Sequence, residues 1–282
     1  MNPSSSPFDP VAKSYDDVFT LTQTGQLQRN RVWKYLTSLH FPENKASVLE
    51  INCGTGEDAC WFATRGHRVL ATDLSAEMIS QAEEKIKTRG LKDVRFLACD
   101  MRELYEKLQG QKFDLVFSDF GGMNCLDEND IRKLSMEIRY LLKPGGSFIA
   151  VLMSRNCLWE RFYFLLKRNF TAAFRRRSKS GIPVSLGQTI QTTYYYSPDQ
   201  FASLTGSGWK TNRLIPIGLF LPPSYLDPFF SKHPVLLRFL ERAERLFGGM
   251  SWCADYADHY LLHFSTHDPT LPTRVQEIKS VT

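Results

Sequence analysis

The chain has 282 residues, of which 43% are hydrophobic and 23% charged, a composition that excludes collagen-like and intrinsically disordered proteins. This length fits one large domain with insertions, or one domain with a small partner lobe. The formal net charge of +5 is low for a dedicated nucleic-acid-binding protein and by itself indicates no partner.

The six cysteines form no CxxC pair and have no histidine at zinc-finger spacing, so the sequence predicts neither a metal site nor a disulfide framework. Residues 1–10 are rich in serine and proline and do not resemble a secretory signal, so we expect a loose tail there and another after His267. No apolar run reaches the length of a membrane span. These features predict a cytoplasmic protein.

The hydrophobic pattern in the first half of the chain alternates between short strands and amphipathic helices. We predict helices over 26–40, 57–65, 76–88 and 128–142, and strands over 47–51, 68–72, 94–98, 113–118 and 148–153. Strands that alternate with helices in this way favour a parallel, doubly wound sheet.

The second half adds two insertions to this pattern. Residues 155–188 are aromatic and basic and are predicted to form a helical insertion. The β-branched run 189–196 is predicted to return to the core sheet, followed by a helix capped by Ser197 and a strand over 209–217. A second insertion contains a predicted helix over 235–247, and a last strand is predicted near 260–265.

The sharpest local signal is a glycine turn between the first strand and the second helix. Gly54 and Gly56 let the backbone approach a ligand closely, and the following helix presents free N–H groups. Asp73, at the end of the next strand, can bind both hydroxyls of a ribose. The turn also matches the dinucleotide fingerprint, but Glu50 and Asp58 surround it with negative charge, which favours a cationic ligand over a pyrophosphate.

In these features the chain resembles the class I S-adenosylmethionine-dependent methyltransferases. The resemblance rests on five segments in order: 50–56, 73–78, 99–101, 113–116 and 142–146. It implies a Rossmann-like, seven-stranded, mostly parallel sheet whose last strand is antiparallel, with an inserted C-terminal cap. It also implies S-adenosylmethionine as cofactor and S-adenosylhomocysteine as product.

The resemblance further implies roles for individual residues. Glu50 would lie near the amino group of the cofactor, Gly54 and Gly56 along its methionine portion, and Asp73, with Leu74 and Met78 nearby, at its ribose. Asp100 and Met101 would contact the adenine, Asp119 or Phe120 the sulfonium end, and Tyr15 would close a lid. The family usually has glycine where this chain has Asn52, so Asn52 either keeps the turn or weakens cofactor binding. Gln28, Arg29 and Arg31 could reach the cofactor carboxylate or could belong to a solvated helix face.

On this basis the chain divides into the following predicted regions: a tail and lid helix (1–41), a cofactor-binding core (42–154), cap insertions (155–188 and 218–254), the remainder of the core sheet (189–217 and 255–267) and a tail (268–282).

The methyl acceptor is the less certain part of the prediction, because methyl transfer requires alignment rather than a catalytic triad. His259 is the candidate acid-base residue, with a surface histidine beside Asp255 and Asp258 as the alternative. We predict a small, apolar or aromatic metabolite as acceptor, no stable nucleic-acid partner and no transmembrane segment, and we leave homodimer formation open. The alternatives are an RNA methyltransferase that uses the basic and aromatic segment 161–179, and a cofactor-binding module without activity.

Overall fold

The main sheet has seven strands, and its last strand is antiparallel to its neighbours, as predicted. The computed structural model describes residues 6–41 and 45–266. The strands of this sheet are β1 (Ser47–Ile51), β2 (Arg68–Asp73), β3 (Val94–Ala98), β4 (Phe113–Ser118), β5 (Leu142–Met153), β8 (Trp209–Ile217) and β9 (His259–Thr266). Their order in the sheet is β3-β2-β1-β4-β5-β9-β8.

The helices agree with the predicted pattern to within a few residues. They are α1 (Gln23–Thr37), α2 (Glu57–Thr64), α3 (Ala76–Thr88), α4 (Leu104–Lys107), α5 (Glu128–Leu141), α6 (Leu158–Leu166), α7 (Phe170–Ala173), α8 (Pro198–Thr205), α9 (Asp227–Phe230) and α10 (Pro234–Phe247). Ser75 and Ser197 cap α3 and α8 through their side-chain oxygens, which is why these two starts could be predicted closely.

Helices cover both faces of the sheet because successive strand residues point to opposite sides. In β4, Val116 belongs to the core shared with α4, α5 and α8, whereas Leu115 and Phe117 belong to the core shared with α1, α2 and α3. Leu115, Val116 and Phe117 are all fully buried. The sheet is thus fixed on two sides, and its strand ends form a rigid edge.

One predicted strand does not lie in this sheet. Residues 189–193 form β7 (Thr189–Thr193), which pairs only with β6 (Ile182–Leu186) as a separate antiparallel hairpin. The β-branched pattern predicts a strand but not its partner, and the short connection between β6 and β7 favours local pairing. The hairpin and helices α6, α7, α9 and α10 together make up the cap.

The prediction of a loose tail over residues 1–10 is also wrong in part. Residues 1–5 lie outside the described residues, as do 267–282, but residues 6–10 are ordered against the core. Ser6 is buried, and Asp9–Ser14 forms a short helical turn followed by a second one over Asp16–Thr20.

Among the residues that the structure describes, no helix is both long and apolar enough to cross a membrane.

Candidate functional site

A cavity of about 380 Å³ lies at the carboxyl ends of the parallel strands, which is where open α/β sheets bind their ligands. Three parts of the chain enclose it: the N-terminal segment 6–20, the turns after β1, β2 and β4, and the cap. Most of the predicted site residues line it, namely Tyr15, Asn52, Gly54, Asp73, Leu74, Met78, Met101, Asp119, Phe120 and His259.

The glycine turn has the left-handed backbone that the sequence suggested. Asn52, Gly54 and Gly56 all have positive φ, at 54°, 52° and 75°, values that glycine and asparagine adopt most readily. A Cβ on Gly56 would lie 2.7 Å from the Cβ of Ala82 on α3. Gly56 does not line the cavity, and the structure explains it by close packing of the turn against α3.

Asn52 keeps the turn, and its side chain joins two strand ends. Its Nδ2 donates to the backbone oxygen of Asp119 at 2.9 Å, and its Oδ1 accepts from the Ser118 hydroxyl at 2.5 Å. The amide is therefore held against the end of β4, where a Cβ on Gly122 would collide with it. This geometry explains how the chain accommodates asparagine at a glycine position.

The Asp73 carboxylate is fixed by the backbone around it. Its two oxygens accept from the N–H groups of Gly54 and Ser75, each at 2.9 Å. Burial raises the pKa of Asp73, and these two hydrogen bonds oppose that rise. Asp100, in contrast, pairs with Arg102 at 2.6 Å and does not line the cavity, so its predicted contact with adenine remains a prediction.

Three carboxylates and one guanidinium form a buried cluster beneath the cavity. Arg29, from α1, contacts the Asp58 carboxylate directly and lies 3.6 Å from Oδ2 of Asp119. Asp58 also accepts from the indole N–H of Trp33 at 2.6 Å. Glu50 is fully buried beside them on β1 without lining the cavity. The cluster contains more acidic groups than basic ones.

Two oxygens of this cluster have no hydrogen-bond partner, namely Oε2 of Glu50 and Oδ2 of Asp119. Burial, together with the nearby Asp58 charge, raises the pKa of both Glu50 and Asp119 well above the ordinary range, and Arg29 offsets only part of that effect. Buried carboxylate oxygens without a donor are costly. The cluster therefore fits a cationic, hydrogen-bond-donating ligand.

Sequence reasoning left Arg29 undecided between a cofactor contact and a solvated helix face. The structure shows that it is buried and stacks on Phe120, with its Cζ 4.9 Å from the ring centroid. Gln28 was undecided in the same way, and it too is buried, where its side chain donates to the backbone oxygen of Pro222. A helical pattern alone could not show this, because the elements that cover Gln28 and Arg29 are distant in sequence.

The N-terminal segment covers the glycine turn, and its Tyr15 lines the cavity next to Gly54, while the role of Tyr15 as a lid remains a prediction. The Asp16 carboxylate accepts from the Thr55 hydroxyl at 2.6 Å and pairs with Lys85 at 2.7 Å. Asp9 accepts from the Ser75 hydroxyl at 2.5 Å. The segment is thus hydrogen-bonded to the turns that follow β1 and β2.

His259 lies on the opposite side of the cavity at the start of β9. It is buried, its ring meets Phe120 edge-on at 5.1 Å, and its Nδ1 lies 3.3 Å from Oδ2 of Asp258. The alternative of a surface histidine is therefore wrong. Burial alone would raise the pKa of Asp258, but His259 and Arg176 lower it below its usual range.

Two arginines of the basic segment belong to the cavity wall, which the sequence did not indicate. Arg176 is buried and pairs with Glu160 at 2.8 Å and with Asp258 at 3.0 Å. Arg175 pairs with the other oxygen of Glu160 at 2.7 Å. The regular alternation of basic and aromatic residues gave no hint of which cations would be paired inside the cap.

Comparison with known proteins agrees with this geometry. Residues 48–146 match the family model described as a methyltransferase domain. The chain therefore contains a methyltransferase domain over these residues, and it shares its fold with S-adenosylmethionine-dependent methyltransferases.

Several relatives extend beyond that domain. The tRNA 5-carboxymethoxyuridine methyltransferase of Escherichia coli K12 is 27% identical over 209 residues, which cover 72% of this chain and 75% of that one. A ubiquinone/menaquinone biosynthesis C-methyltransferase of Acidiphilium cryptum is 32% identical over 170 residues, covering 56% of this chain and 64% of that one. The structure of an S-adenosylmethionine-dependent methyltransferase from Clostridium acetobutylicum superposes with a TM-score of 0.57 at 15% identity, covering 93% and 100% of the two chains.

Proposed function

We propose that this methyltransferase acts on a small, largely apolar or aromatic acceptor enclosed between the acid cluster and the cap. The observation that carries the proposal is the shared wall of the cavity. Leu186 of the hairpin, Tyr195 shortly after it and Tyr225 before α9 line the same cavity as the glycine turn. Aromatic rings in such a wall favour a planar or apolar ligand.

The cofactor half of the cavity fits the donor on chemical grounds. Asp119 lines the cavity and carries an unpaired oxygen, and the buried Glu50 adds a second acidic group close to it, so this half of the cavity favours an ammonium or a sulfonium over any anion. Tyr15, Gly54, Asp73, Leu74, Met78, Met101 and Phe120 are proposed to surround the rest of the molecule. When bound, S-adenosylmethionine supplies a methyl group activated on a sulfonium.

His259 is proposed to accept the proton that the acceptor atom loses. It lies in the cavity wall beside Phe120, and the Asp258 carboxylate lies 3.3 Å from its Nδ1, where it can orient the ring. Because Phe120 packs on Arg29 as well as on His259, the acid cluster and the proposed base are held at a fixed separation.

Replacement of His259 by Gln tests this role. We expect a large loss of turnover with an unchanged Kd for S-adenosylhomocysteine, since the histidine faces the acceptor. The fall of turnover towards low pH that a general base causes should also disappear, which mere loosening of the structure would not produce. Unchanged turnover in the variant would show that no proton is transferred to His259.

RNA is the second candidate acceptor, because the Escherichia coli relative is named for a modified uridine of tRNA. The basic segment 161–179 gives this candidate limited support. Arg175 and Arg176 are engaged by Glu160, which leaves fewer free cations to bind phosphates. A cytoplasmic location and the homodimer remain predictions.

Transfer of a labelled methyl group into a cell extract separates the candidates. The extract is partitioned into organic-soluble, aqueous small-molecule, RNA and protein fractions, with Asp73→Ala as the background control. We expect label in the organic-soluble or small-molecule fraction. Label confined to RNA would refute the small-molecule proposal in favour of the second candidate, and label in no fraction would favour a binding role.

A further inference from the structure

Helix α6 differs from an ordinary surface helix because it exposes several apolar side chains and buries its acidic residue. Its acidic residue, Glu160, is only 2% exposed, whereas Phe162 is 61% and Leu166 69% exposed. Leu158 and Leu165 lie on the same outer side and are exposed as well. Water-soluble surface helices normally turn such residues toward the core, so the outer face of α6 lacks the partner for which its sequence is suited.

Helix α10 shows the same feature on a second element. Val235, Phe239 and Leu246 are 71%, 66% and 76% exposed and recur at intervals of four and seven residues along one side of the helix. Of its two acidic residues, Glu241 lies 3.9 Å from Arg245, whereas Glu244 is buried and accepts from the backbone N–H groups of Gly218 and Phe220. The three apolar side chains named above therefore face outward, while the Glu244 carboxylate faces inward.

The two helices adjoin each other in the cap. Trp159 of α6 packs with Leu237 and Leu240 of α10 in one small apolar core, and its ring lies 5.5 Å from that of Phe230. We call their exposed apolar residues the cap face. The cap face consists of Leu158, Phe162, Leu165, Leu166, Val235, Leu236, Phe239, Leu246 and Phe247.

Exposed cations border the cap face. Lys167 and Arg168 follow α6 directly, Lys232 precedes α10, and Arg238 and Arg242 lie along it. Within the described ranges 6–41 and 45–266, none of these five forms an ion pair with a carboxylate. An apolar surface bordered by unpaired cations is complementary to anionic lipid headgroups above an acyl layer.

We propose that the cap face docks on the surface of an anionic membrane. The apolar side chains would enter the headgroup boundary, and the five cations would contact lipid phosphates. A second copy of the chain fits less well, because a two-fold interface on this face would bring like charges together. The docking surface is independent of the identity of the methyl acceptor, although Glu160 on the inner side of α6 lines the cavity.

Flotation of the full chain with vesicles tests the proposal. The probes are vesicles of phosphatidylcholine alone and of phosphatidylcholine mixed with phosphatidylglycerol. We expect the protein to float with the mixed vesicles, and less so as salt is added. The double substitution of Phe162→Gln with Leu166→Gln should lower the partition coefficient by about tenfold or more, whereas Met136→Gln, at an exposed apolar site on α5, should not.

The charge contribution is tested separately. Arg238→Gln with Arg242→Gln should reduce binding to the mixed vesicles by about tenfold, with Lys87→Gln and Lys92→Gln, two exposed cations distant from the cap, as the matched control. All variants should keep the wild-type Tm, since their side chains are exposed. Absence of flotation by the wild-type protein would overturn the proposal, as would self-association abolished by the Phe162 and Leu166 substitutions.

Discussion

At the scale of single residues, the cluster around Arg29 decides what the site can bind. One guanidinium is shared between Asp58 and Asp119, and Glu50 lies beside them without a cation of its own. Buried carboxylates with too little positive charge around them take up protons. A cationic ligand that donates hydrogen bonds would complete the cluster and return these groups to their ionised form.

Cofactor binding should therefore release protons. In the free protein the pKa values of Glu50 and Asp119 lie above their ordinary ranges. At a pH where an isolated carboxyl group would already be ionised, the cluster therefore still holds protons. A bound ammonium lowers these pKa values, so affinity should rise with pH across that interval. Calorimetry in buffers of different ionisation enthalpy measures the release.

The control for this prediction is Glu50→Gln, which removes one titrating group but keeps the shape of the side chain. The released proton count should fall in this variant. A binding enthalpy that does not change with the buffer in the wild-type protein would contradict the proposed protonation of the cluster.

At the scale of elements, the units around the glycine turn could be predicted from the sequence, whereas the pairing of the cap hairpin and the packing of α1 could not. The strand, turn and helix units around Gly54 and Asp73 follow from local periodicity and capping, so their bounds were predicted within a few residues. The buried side of α1 depends on elements far away in the chain, and no local pattern specifies such contacts. The partner of 189–193 is the adjacent strand β6, but a β-branched pattern does not say whether a strand pairs with its neighbour or joins the main sheet.

The attachment of the N-terminal segment predicts a specific weak point. Asp16→Ala removes the contacts to Thr55 and Lys85, each charge-assisted, and should cost the closed segment about 1.5 kcal/mol or more. Hydrogen exchange of residues 9–20 should become faster, and the dissociation rate of S-adenosylhomocysteine should rise.

The neighbouring Asp17→Ala is the matched control, because Asp17 is exposed. Equal exchange rates in the two variants would show that the Asp16 contacts do not hold the segment closed.

At the scale of the whole molecule, an ion-pair network centred on Arg176 joins the cap to the sheet. Glu160 comes from the cap helix α6, Asp258 from the start of the last sheet strand, and Arg176 lies between them. Arg176 also donates to the backbone oxygen of Ser154 at the end of β5. The cap is thus attached to the core through a buried cation.

Removal of that cation should destabilise the fold as a unit. Arg176→Met removes the one cation that two buried carboxylates share, leaving Glu160 with the half-exposed Arg175 and Asp258 with His259, and should lower the free energy of unfolding by about 3 to 5 kcal/mol. Arg177→Met, in the exposed neighbouring position, should change it by less than about 1 kcal/mol. Urea unfolding compares the two, and similar midpoints would show that the network contributes little to stability.

The cavity has two covers made of separate stretches of chain: residues 6–20 over the glycine turn, and the cap over His259. With cofactor and acceptor bound as we propose, spent cofactor would be exchanged beneath the first cover while the acceptor stays beneath the second. Such an arrangement suits repeated transfer to one retained molecule. An acceptor with more than one methylatable atom would leave fully modified rather than as a series of partial products.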